Sequence, residues 1–281
     1  MFLRMLLYCA LCGLFLSWGG HNSGGHLMGW WWLQGIVLTA GIFPIVHFGP
    51  ANFLRRFASV WMVLALVSGF TTWLEGRVYV PLAEWNQPHP LMSGFLLYTI
   101  MAVVIAGLAG LFELVAEDGE APETRDADGI VLVMLAGGIV YLVCHWVFGA
   151  LFFRYSTHSF YSSVLELKVG MDAVHQLGAR LYVIEFGRGA LMALAVVPAI
   201  ALMRVDRMKA AILAGSVLWI AGGLALQIAP NPIIPQHLRW LYTWQILLQN
   251  FPVGFVTAWI MRKTAEPAAE EPQVQAASTT A

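Results

Sequence analysis

Charge is what this sequence has least of. Only 11% of its 281 residues are Asp, Glu, Lys or Arg, while 59% are hydrophobic and the mean hydropathy is +0.71. A soluble domain carries about 25% charged residues, so water cannot be the solvent for most of this surface. The formal net charge of −1, with no basic helix and no aromatic RNA-binding motif, argues against a nucleic-acid partner. Cysteine is scarce as well. Cys9, Cys12 and Cys144 all sit in apolar runs, which implies buried inert thiols rather than a disulfide framework or a reactive pair. A Walker loop, a G-x-S-x-G elbow and a dinucleotide fingerprint are missing too. "GLAGLFE" is helix packing by small residues, not a phosphate loop.

What the chain has instead is long apolar runs. A helix needs about 20 apolar residues to cross the hydrocarbon layer. Eight stretches qualify: 3–19, 27–47, 56–75, 91–115, 130–152, 180–203, 209–228 and 239–261. They are continuous, without the alternation of barrel strands, so the expected fold is all-α, a polytopic membrane protein of eight spans. No small-x-small cleavage site follows the first stretch ("SWGGHNSGG"), so it reads as a retained span rather than a signal peptide.

The basic residues set an orientation. Arg4, Arg55, Arg56, Arg204, Arg207, Lys209, Arg262 and Lys263 fall on one side of an eight-span arrangement. The positive-inside rule makes that side cytoplasmic, with both termini there, in a cytoplasmic membrane. The acidic segment 117–129, "EDGEAPETRDADG", falls on the same side and reads as a flexible linker between two four-span halves, 1–116 and 130–263. The tail 264–281 has the composition of a disordered segment. Outside, near 158–177, Phe160, Val164, Leu167, Met171 and Val174 recur at helical spacing and suggest an amphipathic surface helix. Trp30, Trp31, Trp32, Trp73, Trp85, Trp240 and Trp244 cluster near the outer boundary as an interfacial belt.

The halves resemble each other in register. At an offset of 154 positions, the distance from Gly24 to Gly178, Leu27, Gly35 and Pro44 fall on Leu181, Gly189 and Pro198. Arg55 meets Lys209, and Val63, Leu64 and Gly69 meet Val217, Leu218 and Gly223. "LYT" at Leu97–Thr99 recurs at Leu241–Thr243. This is the pattern of a parallel 4+4 internal repeat about an axis along the membrane normal.

Against that apolar background the polar residues stand out. Glu185 and Arg188 lie three apart within the sixth span, on one helix face. A charge at the bilayer centre costs about 2.5–3.5 kcal/mol on insertion scales, and pairing lowers that cost. Glu75 and Arg77 end the third span, and Arg180 begins the sixth. Gln245 and Gln249 share a face of the eighth span, beside Asn250. These eight residues form the candidate solute-binding seam, opening outward. At the repeat offset Glu185 and Arg188 fall opposite Trp31 and Gln34, so the charges belong to one half only.

Six histidines map to the outer side. His89, His175 and His237 are the weak metal candidates, without H-E-x-x-H or H-x-x-x-H spacing. His47 and His145 do not look level enough for haem, so no cofactor is expected. "EFGRG", around Glu185 and Arg188, resembles the glutamate–arginine motif of intramembrane CAAX-type proteases. That family has two adjacent glutamates and later helical histidine motifs. Here there is one glutamate, and "YTWQILLQN" has no such histidine, so that family is not assigned.

Three readings follow. The first is a carrier or binding protein for a small polar solute, ion or lipid headgroup. The second is a non-catalytic membrane subunit or scaffold with the pair as a clamp. The third is a hydrolase or transferase using outer histidines and carboxylates. An enzyme is the less favoured class. The expected partners are membrane lipids, a small polar solute or ion, and another membrane protein or a second copy of the chain.

Overall fold

The computed structural model describes residues 1–21, 28–79, 89–115, 123–152, 178–229 and 236–263. The outer amphipathic segment, the tail 264–281, Trp85 and His175 lie outside these residues. The described chain is helical: α1 (Phe2–His21), α2 (Met28–His47), α3 (Phe53–Met62), α4 (Thr72–Tyr79), α5 (His89–Leu111), α6 (Ala127–Phe152), α7 (Ala179–Leu202), α8 (Arg207–Trp219) and α9 (Gln236–Met261). A π-helical segment, Val63–Thr71, joins α3 to α4 in one continuous rod. A second, Ile220–Leu224, extends α8 and passes into a 3₁₀ turn at Ala225–Gln227.

Among the described residues, eight rods lie at the eight apolar stretches. Six are long and apolar enough to cross a membrane: Gly29–His47, Phe53–Val78, Leu91–Leu111, Ala127–Gly149, Ala179–Leu202 and Arg207–Gln227. Among the described residues α1 is a shorter apolar helix, and α9 is long but carries Arg239, Gln245, Gln249 and Asn250. The chain is a membrane protein by this measure. Two boundaries differ from the sequence expectation. α5 stops at Leu111, where Glu113 turns the chain with a positive φ of 52°. α6 starts at Ala127, inside the segment read as a linker. The described end of that segment is held in place, since Thr124 pairs with Arg262 and the Arg125 amide donates to the Met261 carbonyl at 2.9 Å.

The helices pack as sequential antiparallel neighbours, α1 on α2, α3 on α5, α6 on α7 and α8 on α9, with α9 also against α6. In lipid there is no hydrophobic drive between apolar helices, so close van der Waals contact must hold them, and small residues permit it. Gly35 on α2 faces Gly13 on α1 so closely that an added Cβ would lie 2.7 Å from the Gly13 Cα. Gly254 on α9 approaches Ala214 and Gly215 on α8 in the same way. The outward faces of α5 and α6 carry apolar stripes at helical spacing, Met92, Leu96, Ile100 and Val103, and Val131, Leu135, Ile139, Val143 and Val147. These stripes suit contact with acyl chains.

One end of the bundle gathers Arg4, Glu113, Lys263 and the turns 48–52 and 203–206. Two of the arginines that set the orientation in the sequence are buried here. Arg56 is 4% exposed and donates to the carbonyls of Ala106, Pro50 and Ala51. Arg262 is 2% exposed and donates to Val205, Ile200 and Met203 at the C-terminal end of α7. A cation suits that position because the last carbonyls of a helix carry partial negative charge.

Several local features recur at the 154-residue offset. Asn52 caps α3 by accepting from the Arg55 amide at 3.2 Å, and Asp206 caps α8 by accepting from the Lys209 amide at 2.8 Å. The two π segments lie at overlapping positions. They also touch each other reciprocally. Ser68 donates to the Ala221 carbonyl at 2.8 Å, and a Cβ on Gly222 would meet the Val67 side chain at 3.0 Å. At the offset, Val67 corresponds to Ala221 and Ser68 to Gly222.

Candidate functional site

At the end of the bundle opposite the buried arginines, four helical rods bring polar groups together. α7 positions Glu185 and Arg188 on one face because residues three apart are neighbours on a helix surface. The Arg188 Nη1 donates to Glu185 Oε2 at 3.0 Å and its Nη2 donates to Glu75 Oε2 at 2.7 Å. Glu75 comes from α4, so the guanidinium ties two rods with two charge-assisted bonds. His145 on α6 places its Nδ1 3.7 Å from Glu185 Oε2. Tyr141, one turn below His145, lays its ring 5.3 Å from the Arg188 guanidinium carbon and 5.9 Å from the His145 ring.

The depth of each group differs in a way that matters. Glu185 is fully buried and Arg188 is 3% exposed, whereas the Glu75 side chain is 47% exposed. The cluster is thus accessible along one edge, at Glu75. Two carboxylates face one guanidinium.

α6 can come close enough because Gly137, Gly138 and Gly189 line its contact with α7. One turn beyond His145, Gly149 leaves room for the amides of α9. A Cβ there would lie 3.8 Å from Gln245 Nε2 and 3.9 Å from Gln249 Nε2. The Gln249 Nε2 is buried with no hydrogen-bond acceptor among the described residues. Gln245 and Gln249 therefore do share a face, as their spacing predicts, and that face looks at α6.

The other sequence candidates are placed apart. Asn250 is buried but points to α8, donating from Nδ2 to the Leu218 carbonyl at 3.3 Å, an ordinary interhelical bond. Arg77 is exposed, with its guanidinium carbon 5.4 Å from the Trp73 ring. Arg180 is exposed in the first turn of α7. His89 and His237 fall in the first turns of α5 and α9, and their side chains lie outside the described set. Among the described residues, His, Cys, Asp and Glu form no group close enough to hold a metal ion.

Sequence reading missed His145 and Tyr141 as partners of the pair. The available signal was their i,i+4 spacing in "YLVCH", which puts both on one face of α6. Nothing local shows that this face meets Glu185. No protein-family model matches the chain, and no curated protein or solved structure shows significant similarity to it.

Proposed function

We propose that the chain is an eight-span protein of a cytoplasmic membrane, built from two related four-helix halves, that binds or carries a small cationic solute at its outward-facing charge cluster. The observation that supports the function is the meeting at Arg188 of two carboxylates from two rods, of which Glu75 is the more exposed. Intramembrane charges are costly and mark solute pathways by default. Carboxylates in a poorly screened setting favour a cation. Exchange of the Glu75–Arg188 bridge would open the path to Glu185 and His145.

The two-half reading draws on the matched caps Asn52 and Asp206, the overlapping π segments and their reciprocal contact. π segments inside α-helices occur frequently at functional sites. The orientation rests on the basic end being cytoplasmic. In a variant lacking the three native cysteines, a cysteine placed in "APNPIIPQH" should react with an impermeant maleimide on intact cells, and one placed in 117–129 should not. The opposite pattern overturns the orientation.

The function is checked by thermal unfolding of the protein in nanodiscs, with methylammonium, choline or acetate added. Either cation should raise the Tm of the wild type by mass action and leave Glu185→Gln unmoved. Equal stabilisation by acetate, or equal response of the two proteins to the cations, sinks the cation reading. The clamp reading keeps one observation in its favour, the near-complete burial of Glu185 and Arg188.

A further inference from the structure

The charge cluster has two closed members and two open ones. Glu185 and Arg188 are buried, while the side chains of Glu75 and His145 are 47% and 19% exposed. The open members attach to different ends of the closed pair. Glu75 Oε2 accepts from Arg188 Nη2 at 2.7 Å, and His145 Nδ1 lies 3.7 Å from Glu185 Oε2, the same oxygen that accepts from Arg188 Nη1 at 3.0 Å. The His145 contact is within ion-pair reach but too long for a hydrogen bond. A proton on the ring changes that. An imidazolium carries N–H on both nitrogens, whichever receives the proton, and Nδ1 can then close to the roughly 2.7–2.9 Å of a charge-assisted bond.

Few other described groups face His145. α7 brings Glu185 and Arg188, and α4 brings Glu75 through Arg188. α9 turns the amides of Gln245 and Gln249 toward α6 at Gly149, and amides do not titrate. On α6 itself, the Tyr141 ring lies 5.9 Å from the His145 ring and 5.3 Å from the Arg188 guanidinium carbon. Both distances are within the range of cation–π attraction. Trp146 meets the imidazole edge-on at 6.3 Å, and Tyr182 of α7 stacks on that indole. Histidine is the one side chain of this set whose ordinary titration falls between pH 5 and 8.

We propose that the cluster exchanges its cation for a proton, with the cation at Glu75 and the proton on His145. The inference rests on the cation reading given above. A cation at the exposed Glu75 carboxylate displaces Arg188 Nη2. The guanidinium already bonds Glu185 through Nη1, so the released Nη2 can close a two-pronged grip on that carboxylate. Glu185 is then taken up by Arg188, and an imidazolium beside it meets a like charge in a poorly screened setting. The proton leaves the ring for bulk water, the imidazole becomes neutral, and nothing is oxidised or reduced. Linkage makes the effect reciprocal. Acid weakens cation binding, and cation binding releases a proton. In a carrier, such a site couples the two ions in opposite directions.

The full-length protein in nanodiscs tests this, with methylammonium as the cation. Like the lysine amine, which titrates near about 10.4, it stays charged at every pH used. Its apparent Kd is read from thermal unfolding at rising concentration, between about pH 8.5 and about pH 5, above the ordinary carboxylate range. The Kd should rise toward the acid end with a slope approaching about tenfold per pH unit, that of one competing proton. In weak buffer with an indicator dye, binding near the acid end should release about one proton per cation. His145→Asn keeps a polar group near the Nδ1 position and cannot titrate. Its Kd should change less than about twofold over the range, with no proton released. Glu75→Gln should lose methylammonium binding at every pH. A wild-type Kd independent of pH overturns the exchange and leaves the cation reading standing. So does a slope that survives His145→Asn, which would assign the titration to a carboxylate. Methylammonium binding retained in Glu75→Gln overturns the proposed place of the cation. No binding to the wild type at any pH overturns the cation reading, and the exchange with it.

Discussion

Arg188→Met is expected to be the most damaging single substitution at the charge cluster, at about 3–5 kcal/mol. The guanidinium bonds both Glu185 and Glu75. Without it, Glu185 is a fully buried carboxylate beside the His145 imidazole, 3.7 Å away. Glu185→Gln is milder, because the amide is neutral and the Arg188–Glu75 bridge persists. Its cost should be about 1–2 kcal/mol, that of one weakened buried bond. Glu75→Gln should cost at most about 1 kcal/mol, since solvent screens its half-exposed side chain. The expected order of loss is therefore Arg188→Met, Glu185→Gln, Glu75→Gln, read by reversible SDS unfolding or by the Tm of the detergent-solubilised protein.

The double substitution Glu185→Leu with Arg188→Leu sets function against structure. Replacing a buried ion pair by apolar residues of similar size is often neutral or stabilising. If the pair serves a solute, the double variant should recover most of the stability lost in Arg188→Met and still fail to respond to cations. If the pair is a clamp that specifies the packing of α7 on α4, the double variant should stay unstable or lose its monodisperse state. The burial that favours the clamp and the paired carboxylates that favour the cation thus lead to different measurements.

Glu185 and Arg188 were legible in the sequence because two charges inside an apolar run have no other explanation than a partner or a site. Glu75 was legible as a charge at a span end, though nothing in the sequence says that Arg188 reaches it. His145 was not, because its role depends on which face of α6 meets α7, and that is decided by close approach at Gly137, Gly138 and Gly189 rather than by any local pattern. Arg56 and Arg262 show what a span-end position leaves open. A basic residue at a span end reads as a topological signal that says nothing of burial, and the carbonyls of a chain reversal draw these two guanidiniums inward. The apolar runs themselves were plain, since hydropathy acts residue by residue. The π segments were not, since "VLALVSGFT" and "IAGGL" have no proline to mark them and their geometry arises where the two rods cross.

The same contact of α6 with α7 makes Gly189 the sharpest test of how the site is held. A Cβ at Gly189 would lie 2.4 Å from the Tyr141 Cβ, 2.6 Å from the Gly137 carbonyl oxygen and 3.1 Å from the Gly138 Cα. Two of these are backbone atoms, which cannot rotate away, so α6 must shift as a body. Gly189→Ala is expected to cost about 1–3 kcal/mol through overpacking, and Gly189→Val more. Gly187, two residues earlier on the same helix, has nothing within 4 Å of its added Cβ. Gly187→Ala should be neutral or stabilise by up to about 1 kcal/mol, the helix-propensity difference. The pair controls for the effect of alanine in this helix. Displacing α6 also carries Tyr141 off Arg188 and His145 away from Glu185, so Gly189→Ala should abolish cation-dependent stabilisation even where the protein still folds. Equal Tm values for Gly187→Ala and Gly189→Ala would mean that α6 and α7 do not meet at these glycines, and the position of His145 beside Glu185 would fall with that contact.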